Sequence, residues 1–211
     1  MSATDREEMI EQLRAMIAGG GDGIDLDTPF HWAVAGLKQP GPFFQHLPSL
    51  LPPDSILYVE GTRITPKMAA FYSAHRAPNA VAVARDTIAP VPDIHHFQFS
   101  AVVASRLREF AGRHPVAELF DHVKAYRGET LLLSFHDAFD GTLRISERIA
   151  AETVAQFSQA LGGSYQREQT GWRDPGLLRK VLWSLEHPDQ PVAPSEEKTW
   201  LRRLWKRLTR V

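Results

Sequence analysis

Apolar positions recur with a period of two along three stretches in the middle of the chain. Phe97 and Phe99, Val123 and Ala125, and Leu131, Leu133 and Phe135 alternate with a polar set. That polar set is His96 and Gln98, then His122, Lys124 and Tyr126, then Ser134 and His136. Such alternation predicts strands over 95–100, 121–127 and 130–136, each with one apolar and one polar face. Gly128-Glu129 suits a two-residue hairpin between the last two. Shorter strands are predicted at Ile56 to Val59, Val81 to Ala84, Thr142 to Ser146 and Ser164 to Glu168.

Helical spacing fills the intervals. Thr4 and Glu7 form a capping box ahead of a stripe of Ile10, Leu13 and Ile17, and Gly19 to Gly21 end that helix. Thr65-Pro66 supplies an N-cap and a first-turn proline for a helix to about His75. Ser100 caps a helix carrying Val103, Leu107 and Phe110. Val154, Phe157 and Leu161 mark another, ended by Gly162-Gly163. The stretch through Pro40, Pro42, Pro48, Pro52 and Pro53 reads as loop, with a single apolar turn at Phe43 to Leu47 that Pro48 stops.

Together these elements predict an α+β fold with a mixed, partly antiparallel sheet and helices packed on one face. Three segments are expected: an N-terminal helix and Pro-rich lead-in (1–53), an α+β core (54–170), and a helical appendage (171–211). The appendage holds an apolar helix around Leu177 to Leu185, a Pro-rich linker over 187–194 and a basic amphipathic tail.

Charge changes the picture at that tail. The whole chain has 24 Lys+Arg and 25 Asp+Glu, a net of −1. Residues 198–211 contain six basic residues and no acid, which leaves residues 1–197 at a net of −7. On a helical wheel Trp200, Leu201, Leu204, Trp205 and Leu208 share one side, opposite Arg202, Arg203, Lys206 and Arg207. A protein partner or self-association fits this pattern, with Trp200, Leu204, Trp205 and Leu208 as apolar anchors in a groove. An anionic membrane surface would engage the same ingredients. Nucleic acid is the weakest choice, because a body at −7 repels a polyanion. Docking of the tail on the acidic body of its own chain is the competing expectation.

Composition narrows the rest. The 211 residues suffice for one sizeable core. With no cysteine, disulfides, thiolate metal sites and thiol nucleophiles are excluded. No run of about 18 apolar residues could span a bilayer, so a cytoplasmic protein is expected.

Two constellations could carry chemistry. The plain expectation for the polar sheet face is that it meets water; the sharper one is that His96, His122 and His136 line a metal site, with three imidazoles leaving a fourth position open. Asp137 and Asp140, in the run His136-Asp137-Ala138-Phe139-Asp140-Gly141, extend the candidate set at the end of the best strand. The competing reading there is a polar turn at Asp140-Gly141. Glu60, before Gly61, reads as a solvated acid at a turn. No nucleophile elbow, zinc-protease, phosphate-loop or dinucleotide motif is present. The leading expectation is therefore a cytosolic binding or adaptor protein that acts by protein–protein contact, is not an enzyme and needs no cofactor. The alternatives are a metal-dependent hydrolase holding a divalent ion on the sheet and peripheral membrane attachment through the tail.

Overall fold

In a computed structural model, the structure describes residues 23–87 and 91–170, together with Glu7, Ile10, Leu185 and Glu186. Four helices and a seven-stranded sheet make up an α+β fold, in the compact unit 18–173. In chain order the elements are β1 (Phe30–Ala35), α1 (Pro40–Leu50), β2 (Ile56–Gly61), α2 (Pro66–Ala74), β3 (Asp93–Gln98), α3 (Ala101–Ala111), β4 (His122–Arg127), β5 (Thr130–Phe135), β6 (Leu143–Ser146), α4 (Ala151–Ala160) and β7 (Ser164–Gln169). The sheet order is β3-β2-β4-β5-β6-β1-β7, and every ladder is antiparallel rather than mixed.

Local chemistry explains most boundaries. Thr65 Oγ1 accepts the Met68 N–H at 3.4 Å and Ser100 Oγ accepts that of Val103 at 3.2 Å, so both expected caps are made. Gly128, at φ 56°, turns β4 into β5.

Other expectations need correction. The stretch read as loop holds β1, which pairs with β6 on one side and β7 on the other, and an eleven-residue α1 with Pro48 inside it. Pro40 and Pro42 sit in the first turn, where a missing N–H costs nothing. Pro48 falls in the last turn, and the Leu51 N–H still reaches Leu47 O at 3.0 Å. Burial of Phe43, Phe44, Leu47 and Leu50 holds the helix despite the proline. Sheet and core thus begin ahead of Asp54. The segment 81–84 is not a strand, making only an isolated parallel bridge between Val83 and Ile24. Glu7, Ile10, Leu185 and Glu186 are helical; the rest of the expected first helix, the apolar helix and the tail lie outside the described residues.

The two faces of the sheet differ. On one, Leu57, Val59, Phe97, Val123, Ala125, Leu133 and Phe135 meet all four helices in the main core. On the other, Ile56, Tyr58, Tyr126 and Leu131 pack with Ala77 and Val83 beneath Ile24, Leu26 and Val81. Leu131 changes sides relative to the simple alternation. A bulge beside Ala125 and Tyr126 sets Ala125 opposite Leu133 but Tyr126 opposite Leu131, so Leu132 takes the main-core side.

Candidate functional site

The second face of the sheet is where the polar residues gather, and it does not simply face water. Glu60 and Lys124 are fully buried, and His122 and Ser134 nearly so, because the segment that carries Ala84 to Thr87 crosses over them. Glu60, expected to be solvated, is 0 % exposed. Its carboxylate accepts the Asp86 N–H at 2.7 Å, the Thr87 N–H at 3.5 Å and the Tyr58 hydroxyl at 3.2 Å. Those bonds tie the crossing segment to β2. Burial nevertheless holds the Glu60 carboxyl above the ordinary carboxylate range, against the opposing pull of the Asp86 amide and Lys124.

Asp86 is thereby placed over β4 and β5. Its Oδ2 lies 2.9 Å from the Lys124 ammonium and 3.8 Å from His136 Nδ1. Lys124 also donates to the Ala84 carbonyl. Burial opposes the Asp86 charge, but His136 and Lys124 outweigh it and keep the carboxyl well below its usual range. A buried lysine with a carboxylate partner is the arrangement that makes burial of either charge tolerable.

His122 on β4 and His136, directly after the end of β5, have their rings stacked, centroids 4.4 Å apart and planes 5° from parallel. His122 Nδ1 accepts the Asp137 N–H at 2.8 Å. Burial lowers the His122 pKa, with His136 adding to the effect. His136 is the opposite case: the nearby Asp86 carboxylate raises its pKa although burial opposes it. One imidazole of the pair is therefore biased toward neutral and the other toward charged. Asp137 spans both rings, with Oδ2 at 3.2 Å from His136 Nε2 and Oδ1 at 3.7 Å from His122 Nδ1. It adopts φ 45°, a left-handed conformation open to Asp at modest cost.

Asp86, His122 and His136 each offer one donor atom such that the three lie within 4.8 Å of one another. Two of the expected ligands, His122 and His136, are thus brought together, with Asp137 beside them at the exposed rim. His96 is not with them. Strand order explains why: β2 intervenes between β3 and β4, which puts the backbones carrying His96 and His122 about 10 Å apart at ordinary strand spacing. His96 instead shares a hydrogen bond with the Tyr126 hydroxyl at 2.9 Å. Asp140 lies in the reversal after β5, where its N–H and that of Gly141 both donate to Asp137 O. A Cβ on Gly141 would meet His136 O at 2.3 Å, so this turn demands glycine. Asp86 is the residue that sequence reasoning missed. It sits in an irregular connection, and no local pattern announces that a loop will be carried over the sheet.

Comparison with known proteins returns no match: no protein-family model, curated protein or solved structure aligns with this chain. Among the described residues, no helix is long and apolar enough to cross a membrane.

Proposed function

We propose that the protein binds a divalent transition-metal ion at Asp86, His122 and His136. The observation that carries this reading is the convergence of one carboxylate and two imidazole donors within 4.8 Å. Such a nitrogen–oxygen set suits zinc, manganese or ferrous iron. Loading has a visible consequence. His122 Nδ1 is engaged by the Asp137 amide and the two rings lie parallel. An ion taking that nitrogen must replace the amide bond, and the exposed His136 ring must tilt to aim its lone pair. With a coordination position left to water, the site would support metal-dependent hydrolysis, since a bound ion makes water a hydroxide donor near neutral pH.

Calorimetric titration of the full chain with zinc and with manganese, backed by elemental analysis, tests the reading. One equivalent should bind, His122→Asn and His136→Asn should each weaken binding by about tenfold or more, and the Asp137 amide resonance should shift on loading. Absence of stoichiometric binding by zinc, manganese and iron overturns it.

A second reading rests on the sequence of residues 198–211, where a basic face lies opposite Trp200, Leu204, Trp205 and Leu208. In it the protein is a cytoplasmic adaptor whose tail enters a groove on a partner protein or a second copy of the chain, with Arg202, Arg203, Lys206 and Arg207 setting orientation. Removal of residues 195–211 should abolish recovery of that partner. Co-sedimentation with anionic vesicles, reversed by salt, would move the reading to a membrane surface.

A further inference from the structure

The two edges of the sheet are finished differently. At β3 the chain after α2 closes the edge: the Ala77 N–H donates to His96 O at 3.0 Å, and the Gln98 N–H donates to His75 O at 2.8 Å. Arg76 and Phe97 form an antiparallel bridge beside those bonds. At β7 no strand pairs with the outer side among the described residues, and every residue of Ser164–Gln169 is exposed. An open row of backbone donors and acceptors is a template for a further strand.

The inner ladder fixes which groups point outward. The Thr170 N–H donates to Pro29 O at 2.8 Å, and the register runs on from there through His31 with Glu168, Ala33 with Gln166 and Ala35 with Ser164. Bonded and non-bonded pairs alternate along an antiparallel ladder, so the amides and carbonyls of Tyr165, Arg167 and Gln169 face away from β1. Their side chains lie on the helix-covered side, because Tyr165 stands opposite Val34 of the main core. There the Tyr165 ring, in a residue 42 % exposed, lies 6.0 Å from the Trp32 ring. The Arg167 guanidinium stacks over Phe30 at 3.8 Å and reaches Glu147 at 2.9 Å. Ser164, Gln166 and Glu168 occupy the other side.

We propose that β7 pairs antiparallel with β7 of a second copy of this chain, about a twofold axis at Gln166, so that two sheets become one. Charge selects both the occupant and the register. With Gln166 opposite the partner's Gln166, Tyr165 faces the partner's Arg167 and Ser164 faces the partner's Glu168. Each Tyr165–Arg167 pair exchanges two backbone bonds, and the arginine gains a second aromatic ring beside Phe30. Sliding the strands by one step toward their C-terminal ends sets Arg167 against the partner's Arg167, and the next step sets Glu168 against the partner's Glu168. Like charges directly opposite are destabilising. Sliding the other way carries Arg167 and Glu168 past the start of the partner's strand. An unrelated peptide could use the same backbone row, but self-pairing repeats the arginine–tyrosine match on both sides of the axis, as an isologous contact must. Edge pairing of this length belongs to the small, transient class of interface, so the dimer forms and dissociates with concentration.

Sedimentation equilibrium of the full chain up to about 1 mM tests the proposal, with a dimer Kd expected below about 500 μM. Arg167→Pro removes an outward N–H and its charge but no bond to β1, so it should weaken the dimer by about tenfold or more while cooperative unfolding is kept. The absence of cysteine allows a second test that leaves the backbone untouched. At the axis the two Gln166 Cα atoms stand about 4.5 Å apart, within disulfide reach, whereas the two Ser164 Cα atoms are about 14 Å apart. Under mild oxidation Gln166→Cys should therefore cross-link at least about tenfold faster than Ser164→Cys. A chain that stays monomeric throughout overturns the proposal, as do equal cross-linking rates for the two cysteine variants. A dimer that Arg167→Pro leaves intact is carried by another surface, the basic tail included, and also overturns it.

Discussion

The two faces of the sheet are both buried, but by different means. One is covered by helices and filled with aromatic and branched side chains, whereas the other is covered by irregular chain over a polar network. On the helical side Phe43 lies within 5.2 to 6.1 Å of four other rings, those of Phe44, Phe135, Phe139 and Phe157. Such packing is non-directional and tolerates repacking at conserved volume. On the loop side Glu60, Asp86 and Lys124 depend on specific partners, so each side chain fixes the others. The apolar face holds the fold together, and the polar face is where directional groups can converge.

The contrast can be broken from either side. The largest effect is expected from Phe43→Ala, which empties the centre of the ring cluster and should cost about 3–5 kcal/mol in urea unfolding. Asp86 and its neighbours should keep their pairing in any folded fraction. A slightly smaller loss, about 3 kcal/mol, is expected from Lys124→Met, which takes away the ammonium 2.9 Å from the buried Asp86 carboxylate and leaves that charge to its remaining partners, His136 among them. Here the mechanism leaves a signature: adding Asp86→Asn should restore much of the loss, since both charges are then gone. If the double variant is as unstable as the sum of the singles, the pair is not what holds this face.

A weaker effect, shared by both faces, is read from pH. Burial lowers the pKa of His31, His95 and His96 from the usual 6.5, so the unfolded chain takes up protons that the folded chain refuses. Below about pH 6.5 the unfolded state gains protons first, and stability falls as pH drops. His136, raised by Asp86, works in the opposite sense and offsets part of this. Tm measured from about pH 8 down to about pH 5.5 should decline, and His31→Gln should flatten the decline. A Tm that rises on acidification would contradict the assignment of buried, neutral imidazoles.

Legibility differed between the same two regions. Period-two alternation identified the strands carrying His122, Lys124 and His136, and the caps at Thr65 and Ser100 were readable because each is made by residues three apart. The helix at Pro40–Leu50 was hidden because its prolines argue locally against it, while burial of four side chains decides in its favour. Leu131 was put on the wrong face because a bulge shifts the count by one, and nothing within β5 marks where a bulge falls. His96 was grouped with His122 because they share a period and a residue type; strand order, a long-range property, separates them.

By itself the sequence determined the α+β class, most strands, the hairpin at Gly128 and the charge division between residues 1–197 and the last fourteen. These are consequences of local propensity, periodicity and composition, which act over a few residues or over the chain as a sum. Only the tertiary structure decided that β2 lies between β3 and β4, that the polar face is roofed by the segment through Asp86, and that His136 and His122 stack beneath it. Those facts depend on contacts between residues tens of positions apart, where the energy of burial selects one arrangement from many that the local pattern permits equally.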